Sequence, residues 1–255
     1  MADRGEFLTI ADDEVVVWHG AEPTRLEGLA PDTVVEVDGI EARTLPRRGE
    51  LLSRIATVND VHFGETVAGH VDGFEGFETF SVDPGEEPYP EVMNRGAVHD
   101  ISTWAPDVVV AKGDLTSHGT REEYDRFESV YRGAFGDRLV AVRGNHESYH
   151  NLAVADDPCQ RRDLPGVVVA VLDTSRDGQP NGTLSADQLA WLDALGAEAD
   201  RPVLVFGHHP IWDAEHEERR DTTFGLMPDP TEQLVATFVR RERLVGYFAG
   251  HTHRN

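Results

Sequence analysis

Hydrophobic and polar residues follow two textures along this chain. Up to residue 50, short β-branched runs, EVVVWHG and TVVEVDGIEARTL, are broken by Gly, Pro and Asp, which predicts short strands joined by turns. The stretch LPRRGE reads as a linker. Residues 1–50 are therefore expected to form a small β-rich subdomain, and residues 51–255 the main domain. From Leu51 onward six short apolar runs recur: SRIATVND, DVVVAKGD, RLVAVRGN, GVVVAVLDT, RPVLVFGHH and RLVGYFAGH. Such runs predict buried strands. Between several of them lie helix signals. Thr120 with Glu123, and Ser185 with Gln188, fit capping boxes, and TEQLVATFVRRER carries apolar residues at helical spacing. Strands alternating with helices predict an α/β fold. One stretch, GETVAGHVDGFEGFETFSVDPGEEPYPEV, shows no clear periodicity; a long irregular loop in a compact domain is often functional.

Five of the six predicted strands end in residues able to bind a metal. They run into Asp60-Val61-His62, Gly113-Asp114, Gly144-Asn145-His146-Glu147, Gly207-His208-His209-Pro210 and Gly250-His251-Thr252-His253. Only VVVAVLDT offers a weaker group, Asp173. Singly, each has an ordinary explanation: a surface D-x-H, a Gly-Asp turn or helix cap, a polar Asn-His loop. Jointly they point to a metal centre, because open α/β sheets gather ligands outside the carboxyl ends of their strands. Imidazole and carboxylate without thiolate suit Zn, Mn, Fe or Co.

Composition narrows the partners. Twenty-three basic residues stand against 47 acidic ones, a net charge of −24, which repels long nucleic acid and anionic membranes. All but one of the bases are arginine, the exception being Lys112. A single cysteine, Cys159, precludes an internal disulfide and reads as a loop residue. The N-terminal stretch lacks the basic and apolar regions of a secretory signal, and no apolar run reaches the ~20 residues that span a membrane. A soluble, cytoplasmic protein is expected.

The ordered set D-x-H, G-D, G-N-H-E, H and G-H-x-H resembles the signature of the calcineurin-like metallophosphoesterase superfamily, over about residues 53–255. APDVVVAKGDLTSHG, LSADQLAWLDAL and GHHP look most like its class III cyclic nucleotide phosphodiesterases. The resemblance implies a four-layer β-sandwich flanked by helices and a two-metal centre. Carried onto this chain, Asp60, His62, Asp114 and His253 would hold one ion. Asp114 would bridge to a second, completed by Asn145, His208 and His251. In the related H-x-P pattern the first histidine binds metal, which assigns His208 rather than His209. Two ions ~3.5–4 Å apart clamp a phosphate and lower the pKa of a bridging water, whose hydroxide would attack phosphorus. His146 would act as general acid, with Asn145, His146 and His118 near the substrate. His70 is a further candidate in the irregular loop. Arg143 reads first as a surface arginine and second as a phosphate partner; His19, His99, His150 and His216 read as structural or exposed. Superfamily members continue past G-H-x-H with another strand, so two residues after His253 imply a truncated chain or a reduced C-terminal layer, with His251 and His253 less firmly held.

A second, looser likeness lies in the first fifty residues, where Leu29-Ala30-Pro31-Asp32-Thr33 resembles a strand corner of fibronectin type III domains. Val35 stands where their tyrosine is expected, and the segment is about half a domain long. Taken together, the expected activity is hydrolysis of small phosphodiesters, 3',5'-cyclic nucleotides first. The alternatives are a phosphomonoesterase using the same centre and a non-catalytic interaction module on the same fold.

Overall fold

The structure, a computed structural model, describes residues 6–18, 23–37, 39–47, 49–69, 79–213, 218–220 and 224–253. His19, His70 and His216 lie outside these residues, as does part of the stretch after His62. The chain divides into two compact units, Met1–Leu51 and Leu52–Asn255.

The first unit is all β. Strands β1 (Glu6–Ile10), β2 (Val15–Trp18) and β3 (Pro23–Leu26) form an antiparallel sheet. Strands β4 (Val34–Val37) and β5 (Ile40–Arg43) form a hairpin. Val15 and Val17 share a small core with Val37 and Ala42.

The second unit contains two sheets. Strands β6 (Ile55–Val58), β9 (Val108–Lys112) and β10 (Leu139–Val142) form a parallel sheet in the order β10-β9-β6. Between β6 and β9 come the short strands β7 (Val67–Ala68) and β8 (Phe80–Ser81), then helix α1 (Tyr89–Trp104). After β9, helix α2 (Arg121–Phe127) continues through a π-helical turn, Glu128–Arg132, into α3 (Gly133–Phe135). A short helix α4 (Asn145–Tyr149) follows β10. The second sheet has the order β11-β12-β13-β14, from β11 (Cys159–Leu164), β12 (Val167–Leu172), β13 (Val203–Phe206) and β14 (Leu244–Phe248). Helix α5 (Ala186–Glu198) joins β12 to β13, and α6 (Pro228–Arg240) joins β13 to β14.

Strand alternation builds the layers. Val108, Val110, Val140 and Val142 of one sheet meet Val169, Val171 and Phe206 of the other. The opposite face of the first sheet, with Val109, Ala111, Leu139 and Ala141, packs on Phe127, Tyr131 and Phe135. The opposite face of the second, with Val168, Ala170, Leu172 and Val205, packs on Leu189, Leu192, Leu195 and Leu234. The order is helix, sheet, sheet, helix, and burial on both faces explains the unbroken apolar runs.

The six predicted strands are β6, β9, β10, β12, β13 and β14. Both capping boxes form, at the start of α2 and of α5. Two elements differ from expectation. The irregular stretch ends in helix α1 from Tyr89, with Pro90 in its first turn. Cys159 opens the antiparallel edge strand β11 rather than lying in a loop. Among the described residues no helix is long and apolar enough to cross a membrane.

One buried network fastens α1 to the first ligand loop. Asn94 Nδ2 donates to the carbonyls of Val61 (3.0 Å) and Pro90 (2.8 Å), while its Oδ1 accepts from the Tyr131 hydroxyl (2.6 Å). Asn94→Ala would strand these partners in the interior. We expect it to lower unfolding stability by about 1–3 kcal/mol, measured by urea denaturation. A change below a few tenths would contradict a structural role for the network.

Candidate metal centre

The strand ends after β6, β9 and β14 deliver their polar residues through abrupt backbone turns. Asp60, His62, Asp114, His251 and His253 all adopt left-handed φ values, between 43° and 71°. This conformation is uncommon for non-glycine residues and costs of order 1–3 kcal/mol each. Five of the nine such residues among those described belong to the predicted ligand set. Two glycines make room for the convergence. Gly113 has φ +93°, and a Cβ there would stand 2.5 Å from His208 Nδ1. A Cβ on Gly144 would strike the Asp114 carboxylate.

The seven residues come together at the carboxyl ends of both sheets. Around one point lie Asp60, His62 and His253: His62 Nε2 is 3.3 Å from His253 Nε2, which is 3.3 Å from Asp60 Oδ1. Around a second lies His208 Nε2, with Asn145 Oδ1 at 3.0 Å, His251 Nδ1 at 3.2 Å and Asp114 Oδ2 at 3.3 Å. That same Asp114 oxygen is 3.9 Å from His62 Nε2, so one carboxylate faces both groups. The arrangement is held from behind. Asp60 accepts the His251 amide at 3.0 and 3.1 Å, and Asp114 Oδ1 accepts the His146 amide at 3.0 Å.

The donor set fits metal ions. His208 Nδ1 donates to the Lys112 carbonyl at 2.8 Å, which fixes the tautomer and leaves the Nε2 lone pair facing three other potential donors. Lone pairs crowded to 3.0–3.3 Å repel one another unless a proton or a cation lies among them. His62 Nδ1 and His251 Nε2 are buried without a hydrogen-bond partner. His209 also lies beside His208 and His251. Its two ring nitrogens are engaged elsewhere, however: Nδ1 accepts from the Thr174 hydroxyl at 2.9 Å and Nε2 donates to the Pro180 carbonyl at 3.2 Å. His209 is a buried structural residue, and His208 faces the cluster.

The electrostatics follow from burial and opposing charge. Burial alone would raise the Asp114 pKa, but His208, His146 and His62 hold it well below the usual carboxylate range. Burial would likewise raise Asp60, but the hydrogen bond with His253, the charge of His208 and the Asn59 amide together bring it below its ordinary value. Burial lowers His62, and brings His251 to about 4. For His208 burial also favours the neutral ring, but Asp114 outweighs it and pushes the pKa up to about 9. The hydrogen bond to Asp60 raises His253.

The remaining candidates sort themselves. His146 Nδ1 lies 2.6 Å from the Ser117 carbonyl, leaving Nε2 free toward Asp114 Oδ2 at 3.9 Å. His118 Nδ1 lies 2.8 Å from Glu123 Oε1, with much of the ring exposed. His99 and His150 are exposed. Arg143 is neither on the open surface nor free to meet phosphate; its Nε donates to the buried Asp173 at 2.8 Å. Asp173, at the end of β12, thus joins a charge pair between the sheets. The sequence reading assigned no task to Glu147 or Lys112. The fully buried Glu147 carboxylate accepts from Gly144 N, Thr116 N and Thr116 Oγ1 at 2.6–2.7 Å, shaping the loops around Asp114 and Asn145. Its signal was its place directly after Asn145-His146. The signal for Lys112 was its being the sole lysine, next to Gly113-Asp114.

An α/β/β/α sandwich with carboxylates and imidazoles at its carboxyl edge defines a metallophosphoesterase-type centre. The chain belongs to the calcineurin-like phosphoesterase family, whose model matches residues 53–255. Its relatives include a probable glycerophosphodiester phosphodiesterase of Arcobacter nitrofigilis, 29% identical over 58% of this chain and 57% of that one. A probable cyclic nucleotide phosphodiesterase of Rhodopseudomonas palustris is 31% identical over 70% and 67%. The 3',5'-cyclic adenosine monophosphate phosphodiesterase of Escherichia coli K12 is 28% identical over 72% and 69%. The chain thus spans 57–69% of the length of these relatives. Among solved structures, a dimetal phosphatase from Danio rerio shares the fold, with a TM-score of 0.59 and 18% identity over 80% of this chain and 82% of that one. Family and donor set together support dependence on divalent metal ions.

Metal uptake at His208 would have to displace its proton. With a folded pKa of about 9 against an ordinary 6.5, His208 stabilises the metal-free protein fully below pH 6.5. That contribution is lost as pH rises through 9. Metal affinity runs the opposite way, because a ligand must be deprotonated. Mn2+ affinity measured by calorimetry should climb between pH 7 and 9 and then level. A flat profile there would contradict this assignment.

Proposed function

We propose that the chain is a binuclear-metal-dependent phosphodiesterase acting on small diesters, with 3',5'-cyclic nucleotides the first candidates. The observation that carries this reading is a pair of cavities flanking the centre. One, of about 420 Å³, is lined by Asp60, His62 and His253 together with apolar Val61, Pro90 and Met93. The other, of about 510 Å³, is lined by His146, His118, His150, Ser117 and Tyr149. Glu65 borders both, and the rings of His62 and His146 are 4.6 Å apart. An acyclic diester carries two separate alcohol groups on one phosphorus, and two cavities at one centre can receive both; in a 3',5'-cyclic nucleotide both ester oxygens belong to one ribose, and that candidate is supported by the relatives' names. A monoester needs only one. The names of the relatives, cyclic nucleotide and glycerophosphodiester phosphodiesterases, point to the same class.

In this reading Asp60, His62, Asp114 and His253 hold one ion, and Asp114, Asn145, His208 and His251 hold the other. Mn, Fe, Zn and Co all suit such a nitrogen and oxygen set. When bound, two ions supply Lewis acidity toward phosphate oxygens and activate water. Asn145 contributes a neutral donor, which preserves positive charge for an anionic substrate. Water adds to phosphorus and gives up one proton to solvent, the bond to the leaving alcohol breaks, that alcohol's oxygen takes a proton from His146 Nε2, and His146 regains one from solvent. The Ser117 carbonyl accepts from Nδ1, which orients the ring.

Two measurements test this. With Mn2+ added, kcat/KM should be greater for an aryl phosphodiester than for its matched monoester, and cyclic AMP and cyclic GMP should be hydrolysed. A tenfold preference for the monoester would make the protein a phosphatase. His146→Ala should lower kcat by ~10²–10⁴-fold for an alkoxide leaving group. The loss should be much smaller for nitrophenolate, which needs no proton, and metal content should stay unchanged. Equal losses on both substrates would remove His146 as the general acid.

A further inference from the structure

We propose that Lys112 is the positioning residue that ties the last ligand loop to the rest of the metal centre; the proposal rests on the metal-binding reading of that centre. Lys112 is the only lysine in the chain, and it is buried, at 7% exposure. It ends β9, the middle strand of the first sheet. Its Nζ donates to the carbonyl of Ala249 at 2.6 Å. Ala249 directly precedes Gly250-His251-Thr252-His253. The backbone carbonyl of Lys112 accepts from His208 Nδ1 at 2.8 Å, and Asp114 lies two residues after Lys112 in the chain. One residue thus reaches, through a bond or the backbone, Asp114 on its own sheet and His208, His251 and His253 on the other.

The fold explains the need for such an anchor. Among the described residues β14 pairs with β13 alone, so the described strand ends next to the loop beyond it lie on one side. Within its own sheet it is held by the Gly250 amide bonding the His208 carbonyl at 2.8 Å. Lys112 adds a cross-sheet hold just ahead of both ligating histidines. The choice of lysine over arginine also follows. An unbranched stem ending in a compact donor can meet one carbonyl, whereas a guanidinium would bring five N–H groups to a place with few acceptors. Ammonium and neutral amine both donate to a carbonyl, so the contact does not depend on charge.

The test compares the wild-type chain with Lys112→Met, which keeps the apolar stem and removes the donor. Mn2+ affinity should fall by about 10–100-fold, as for other groups that orient metal ligands, and kcat should fall with it. The far-UV circular dichroism should be unchanged. A purely structural lysine predicts instead a lower Tm with Mn2+ affinity within twofold of wild type, and that result would overturn the proposal. Should Lys112→Met not fold, 15N-lysine labelling of the wild type gives one side-chain signal. That signal should be protected from solvent exchange and should shift in step with added Zn2+. A freely exchanging signal that ignores Zn2+ would overturn the proposal. A wild-type chain that bound no Mn2+ would be a different failure, since it would remove the metal-centre reading and this inference together.

Discussion

The organising constraint of this protein is a buried carboxylate. Asp114 is almost completely enclosed, and an ionised group there is tolerated only among opposite charge and hydrogen-bond donors. Two sheets supply those surroundings. The first brings Asp60, His62, Asp114 and Asn145 to its carboxyl edge; the second brings His208, His251 and His253. The small residues at Gly113 and Gly144 and the three-way acceptance by Glu147 serve one outcome, which is that polar groups from separate layers reach the same small volume.

Much of this was legible beforehand, for reasons visible in particular residues. Strands such as Val108–Lys112 and Val167–Leu172 are buried on both faces, so their apolar runs stand out. The ligand types also stand out because each follows a strand directly. β11 was missed because CQRRDL is a charged antiparallel strand at a sheet edge, with little apolar signal. α1 was missed because the side chains it buries include Glu91 and Asn94, which give no hydrophobic stripe; only Pro90 marked its start. The apolar runs look alike, so nothing in them said which strands share a sheet. The second hydrogen bond of each histidine depends on that pairing. That is why His208 and His209 are adjacent and similar in sequence yet have different hydrogen-bond surroundings, and why the contact between Lys112 and Ala249 could not be foreseen.

Local backbone energy runs against the site. Five of the proposed ligands sit in left-handed conformations that asparagine or glycine would adopt more easily. Retaining aspartate and histidine there is a local conflict, of the kind expected where function overrides propensity. The conflict is sustained by surroundings that leave the chain little choice, such as the Asp60 carboxylate on the His251 amide and the Asn94 bond to the Val61 carbonyl.

The pairing of His62 with His253 has a consequence for the chain as a polymer. The two residues are 191 positions apart, near the beginning and the end of the second unit. An ion held between them would close most of that unit into a ring. In the language of unfolded chains it would act as a reversible crosslink over a very long loop, whose closure entropy grows only slowly with length. Ion occupancy would then set the topology of the chain, a ring when filled and a linear thread when empty.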